Sequence, residues 1–328
     1  MFVIDCHAHF VPQTFPPRPE GVAAHEWPEM LPLQDGRARM MIDGREFRIF
    51  ESAYWDVPGR IAVLDEEGID LQVLSPLPEL LGYWFQPATT AAMAESVNAA
   101  IAAAVAAAPS RLAGMGMLPL QDVEASAAMV PALAALGLRG VIVASNINGT
   151  SIADPRFYPV FEALQAQNLA LFVHGYRPAG LERFIGSPLL GPIAGVPQDT
   201  SAAIASFIAT DIFAHFPTLR LGFAHGGGGF GAVLARMDHV WHEFPDMQKG
   251  NKTAPRDYVK KFYFDTVTFG SDYLAYLITA FGPDTLMAGT DGPTPIGQRG
   301  LRKFVETAAK GDDVAAILAG NAKKFFGI

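Results

Sequence analysis

Val3-Ile4-Asp5-Cys6-His7-Ala8-His9 reads as a short buried strand that ends in two histidines. Residues two apart on a strand project to the same face. His7 and His9 therefore aim two imidazoles at one point, an economical way to offer two nitrogen donors to a divalent transition metal. Alone, the pattern is no more than two polar residues at a strand end. Its weight depends on what ends the other strands.

Outward from this stretch the chain settles into a rhythm. Residues 69–74, 112–117, 140–143, 169–173, 219–224, 262–264 and 286–288 read as strands. Residues 58–68, 89–108, 123–136, 155–167, 200–215, 231–242, 272–281 and the last stretch to Phe326 read as helices. Strands alternating with helices of ten or more residues imply parallel βα units. With the first strand there are eight, which predicts a (β/α)8 TIM-type barrel spanning 1–328 as one α/β domain. An open doubly wound sheet would call for a glycine fingerprint after an early strand, and none follows the first two. Residues 11–57 break the rhythm. Within them Arg39–Ile42 and Arg45–Ile49 flank Asp43-Gly44, a strong hairpin signal. A small β insertion after the first strand, capping the barrel mouth, is expected.

Half of the 328 residues are hydrophobic, enough for a large core. The net charge is −9 and no run of Lys or Arg stands out. That argues against nucleic acid and anionic membrane surfaces as partners. The single cysteine, Cys6, allows no intrachain disulfide and suits a reducing, cytoplasmic setting. It alternates with His7 and is expected to pack toward the helices. The sequence starts directly in a strand, so no secretory leader is expected. The longest apolar run, 99–108, is mostly alanine and stops at Pro109, too short to span a bilayer.

In a TIM barrel the residues just past the C-terminal strand ends build the active site. His7 and His9 follow the first strand, His174 the fifth, His225 the sixth and Asp291 the eighth. Three neutral imidazoles and a carboxylate suit one divalent metal ion, Zn²⁺ foremost, with Mn²⁺ or Co²⁺ also compatible. His7, His9, His174 and Asp291 are the expected ligands. His225, in an Ala-His-Gly-Gly-Gly turn, is left as a nearby general acid/base. The fourth strand ends Ala144-Ser145-Asn146, without the lysine that binuclear hydrolases of this architecture place there. One metal is therefore expected. Asp5, on the same face as the histidines, is expected to support them from beneath. His25, His215, His239 and His242 lack a strand-end position and are expected to be structural or solvated.

These motifs, with Asp43-Gly44-Arg45-Glu46-Phe47-Arg48, Trp55-Asp56 and Tyr83-Trp84, resemble the amidohydrolase superfamily over nearly the whole chain. Within it the chain is most similar to the mononuclear metal-dependent decarboxylase branch, whose members act on carboxymuconate semialdehydes and hydroxybenzoates. The resemblance implies a metal held by the residues named above, with His225 activating water beside it and Arg48 binding a substrate carboxylate. It also implies a homodimer. Two departures alter the pocket. Phe244 stands where carboxymuconate-type members carry an arginine supplied across the dimer. Gly292 and Thr294 replace aromatics around Asp291. Tyr83 and Trp84 either stack on a planar substrate or pack the insertion. The expected function is non-oxidative decarboxylation of an unsaturated or aromatic acid. The alternative is a mononuclear hydrolase or hydratase with the same ligands.

Overall fold

A computed structural model describes all residues 1–328. Strand β1, Ile4–Phe10, is buried along its length. The chain then leaves for a three-stranded antiparallel sheet of β2 (Glu29–Pro32), β3 (Ala38–Ile42) and β4 (Arg45–Phe50). Asp43 and Gly44 have φ of 56° and 66°, the paired positive values that let a two-residue turn follow the strand twist. The hairpin stands where the sequence placed it. Strand β2 is additional. Its four residues are mostly exposed and end at a proline, so no alternation announces it.

The barrel continues with β5 (Leu71–Pro76), β6 (Leu112–Gly116) and β7 (Gly140–Ala144). A small unanticipated hairpin follows, β8 (Asn146–Ile147) and β9 (Thr150–Ser151). The remaining barrel strands are β10 (Ala170–His174), β11 (Leu221–Phe223), β12 (Tyr263–Asp265) and β13 (Leu286–Met287). The eight pair in the order β1-β5-β6-β7-β10-β11-β12-β13. Every pairing between them is parallel. Such strands are covered on both faces, which explains their near-continuous apolar runs. Phe172, Phe223 and Phe264 are fully buried among them.

The seam between first and last strands closes the barrel. Cys6 N donates to Ala288 O at 2.8 Å, Asp291 N to His7 O at 2.8 Å, and His9 N to Gly292 O at 2.6 Å. Asp5 is the clasp of this seam. Its carboxylate accepts from Thr290 N (2.9 Å), Thr290 Oγ1 (2.6 Å) and Gln72 Nε2 (2.7 Å). Burial pushes the Asp5 carboxyl up, partly offset by these bonds and the His7 amide. Asp5 supports the histidines through the His7 amide, which donates to Asp5 Oδ1 at 3.2 Å, while its other bonds close the barrel. Gln72 in turn accepts from Arg60 Nη1 at 2.7 Å. Buried Arg60 also donates to His9 O and Ala53 O, both at 2.8 Å. This chain of bonds ties the return leg of the insertion to the histidine strand. Burial lowers Arg60 to about 10.

Three helical segments differ from expectation. The segment expected as one helix over 200–215 is Val196–Ala209 followed by Ile212–His215. Asp211, at φ 49°, breaks it, and Tyr258 Oη accepts from Phe213 N to hold the second piece. The alanine-rich helix runs Pro87–Ala107, 21 residues, long and apolar enough by length and composition to cross a membrane. Here Met93, Val97 and Ile101 are buried and the helix packs on β6. The last stretch is interrupted as well: Leu301–Ala308 ends before Gly311, and helix resumes at Asp312.

Candidate metal centre

His7, His9, His174 and Asp291 converge, their donor atoms all within 4.8 Å of one another. His7 Nε2 and His9 Nε2 are 3.3 Å apart, and Asp291 Oδ1 lies 2.8 Å from His9 Nε2 and 3.6 Å from His7 Nε2. Donors on one small cation with bonds of ~2.0–2.1 Å stand roughly 3.3 Å apart, so the spacing fits an ion. All four residues are buried. His25, His215, His239 and His242 are exposed and lie elsewhere.

Each histidine has its Nδ1 engaged, which leaves Nε2 for the centre. His7 Nδ1 is 2.6 Å from Asp265 Oδ2, His9 Nδ1 is 3.3 Å from Ser75 Oγ, and His174 Nδ1 is 2.8 Å from Gly175 O. Such outer partners fix the tautomer and the ring plane. Burial and the neighbouring imidazoles hold His174 well below its ordinary value, and burial lowers His9. Neutral imidazole is the form a cation requires. Burial opposes charge on His7 too, but the hydrogen bond and charge of Asp265 outweigh it and raise His7. Against its burial, Asp291 is held well below the usual carboxylate range by the histidines around it.

Asp265 is the functional residue that sequence reasoning missed. It is fully buried at the end of β12. Besides His7 it accepts from Gly226 N at 2.9 Å and Val267 N at 3.0 Å. One carboxylate thus orients a ligand and pins the turn behind His225. The signal was present, since Phe264-Asp265 ends a strand as Val173-His174 does.

His225 stands beside the donors, with Nε2 3.8 Å from Asp291 Oδ2 and its ring 4.6 Å from that of His174. Its side chain is 17 % exposed, so it can exchange protons at the mouth. His225 and Asp291 both adopt left-handed backbone, φ 57° and 59°. Non-glycine residues hold such angles where packing over-determines them, often at functional sites. Gly228, φ 62°, follows, and a Cβ there would meet Pro197 O at 2.0 Å. Only glycine lets this turn lie so close.

The rim is less complete. Arg48 pairs with Glu79 at 2.9 Å and is one-third exposed. Tyr83 is buried, and Trp84, half-buried, packs against Tyr176. Phe244 is 59 % exposed. At the lysine-free end of β7, Ser145 and Asn146 both donate to Asp199.

Residues 4–328 match the amidohydrolase family. A 2-amino-3-carboxymuconate-6-semialdehyde decarboxylase of Dictyostelium discoideum is 33 % identical, covering 99 % of this chain and 91 % of its own. The solved 5-carboxyvanillate decarboxylase of Sphingomonas paucimobilis is 30 % identical, with a TM-score of 0.74 and 82 % of each chain covered. The apo form of IDCase from Metarhizium anisopliae aligns with a TM-score of 0.83 at 25 % identity, over 99 % of this chain and 97 % of its own.

Proposed function

The chain belongs to the amidohydrolase family, and from that premise we propose that it is a metal-dependent, non-oxidative decarboxylase of an aromatic or unsaturated carboxylic acid. The observation that carries this reading is the buried three-histidine, one-aspartate cluster with His225 beside it. Two similar proteins, at 33 % and 30 % identity, are decarboxylases of such acids.

His7, His9, His174 and Asp291 would hold one divalent cation. Three nitrogens and one carboxylate oxygen suit Zn²⁺ best and admit Mn²⁺ or Co²⁺. When bound, the ion supplies Lewis acidity and a fixed anchor for substrate oxygens. His225 delivers a proton to the carbon that bears the carboxylate, and that carbon takes it with an electron pair of the conjugated system. The bond to the carboxylate then breaks, its electrons restore conjugation and CO₂ leaves. No oxidant or reductant is consumed. Asp291 Oδ2, 3.8 Å from His225 Nε2, holds that ring beside the reacting carbon. Arg48 receives the substrate carboxylate by exchanging it for Glu79, and Tyr83 and Trp84 flank the ring.

The chain acts as one domain, with 11–57 capping the mouth; the Arg60 bonds to Ala53 and His9 support that placement. Exposed Ile185, Leu189 and Ile193 offer apolar surface for a homodimer. A lone buried Cys6 suits the cytoplasm. The test is metal analysis of freshly purified protein, followed by CO₂ release from a panel of hydroxybenzoates and carboxymuconate-type acids. A stoichiometric divalent ion and CO₂ are expected. Incorporation of solvent ¹⁸O into an ester, lactone or C–C cleavage product, with no CO₂, would replace this reading by a hydrolase.

A further inference from the structure

A cavity of about 270 Å³ has walls that include Tyr83, Trp84, Asn146, Asn148, Tyr176 and Arg177. It adjoins the strand end that carries His174. Tyr176 and Arg177 follow that histidine by two and three residues, and Ala144, a further wall residue, pairs with His174 in the ladder. Its volume is just under the ~300–1,000 Å³ of drug-sized sites, which suits part of a single-ring molecule.

The walls are cross-tied. Asn148 Nδ2 donates to Tyr83 O at 2.6 Å. Asn146 Nδ2 reaches Tyr176 O at 3.2 Å and Asp199 Oδ2 at 2.9 Å. One polar group here is unspent. The Arg177 guanidinium lies over the Trp84 ring, 4.3 Å from its centre. Unlike Arg48, which Glu79 neutralises, it sits on an aromatic face. Stacking leaves the planar N–H edge free for a bidentate acceptor.

We infer that this cavity is a subsite for a second carboxylate on a planar acid, with Arg177 as its specificity-determining residue. The first carboxylate is the one that Arg48 receives beside the donor cluster, and in that respect the inference rests on the decarboxylase reading.

The test is calorimetric binding of isophthalate and benzoate to the zinc-loaded protein and to Arg177→Met, with zinc content measured in both. The wild type is expected to prefer isophthalate. Arg177→Met is expected to lose about tenfold or more in isophthalate affinity, the worth of a charge-assisted hydrogen bond. Its benzoate affinity should change less than about twofold, with full zinc and partial rescue by Arg177→Lys. Equal wild-type affinity for the two acids, no isophthalate binding, or equal weakening of both by Arg177→Met would overturn it, as would preference for salicylate over isophthalate. Failure of the decarboxylase reading is seen separately, as absence of CO₂ from every acid while the isophthalate preference persists.

Discussion

The floor and the rim of the site are held by different means. On the floor, His7, His9, His174 and Asp291 project from strand ends, are buried, and have each remaining imidazole nitrogen committed to a fixed partner. On the rim, Arg48, Trp84 and Arg177 stand on the insertion or on loops and are partly or wholly exposed. Barrel hydrogen bonding fixes the floor to the register of its strands. The rim is set by a few side-chain contacts, such as Arg48 with Glu79 and Arg177 over Trp84. On the proposed function, the floor would determine which chemistry is possible, and the rim which molecule receives it. Chemistry and specificity can change independently on such a scaffold.

The sharpest way to break this contrast is His174→Ala. It should remove stoichiometric metal, a loss beyond the ~10–100-fold that outer partners contribute, and abolish turnover while the fold persists. Metal content and circular dichroism check both. His225→Asn should keep the metal and lower kcat by about 10²–10⁴-fold, the usual worth of a general acid or base. Asp265→Asn should weaken metal affinity about 10–100-fold at pH 7.5. It should also flatten the pH dependence. Asp265 raises His7, so as pH falls protons compete with the cation for His7 already above the ordinary imidazole range. Removing the anion moves that competition to lower pH. Chelator competition at several pH values measures the shift. Thr290→Val probes the seam beneath the floor. It takes one hydrogen bond from buried Asp5 and should cost about 1–3 kcal/mol in denaturant unfolding, with affinity for a divalent ion kept. Arg48→Met should act on the rim alone, raising KM about tenfold through one lost charge-assisted contact, with kcat and metal unchanged. A fall in metal content in Arg48→Met would blur the contrast.

The floor was legible because barrel strands are short, apolar and end abruptly. A histidine after Phe172-Val173 or Phe223-Ala224 has little choice of direction. Asp265 was passed over because β12 is only three residues long, and the sequence reading stopped it at Phe264. The Asp43-Gly44 turn was legible from its dipeptide. Glu79 and Arg177 were not, since no periodicity says which side chains a loop brings together. Asp5 was legible only in part, for a related reason. Its face was read correctly, but its partners, Thr290 and Gln72, come from strands whose register the sequence does not print. The break at Asp211 likewise depends on a tertiary bond to Tyr258 that local propensity cannot foresee.

His9 and Asp291 are 282 positions apart, yet their side chains meet at 2.8 Å. The cluster thus straddles the seam where the barrel shuts, and half-folded chains cannot possess it. Cation uptake becomes a receipt for finished assembly: nothing can load until the last strand has docked beside the first. Contacts of such span form late. A stalled or clipped molecule lacking the final strand and the turn after it would be left without Asp291, and so with an incomplete set of donors.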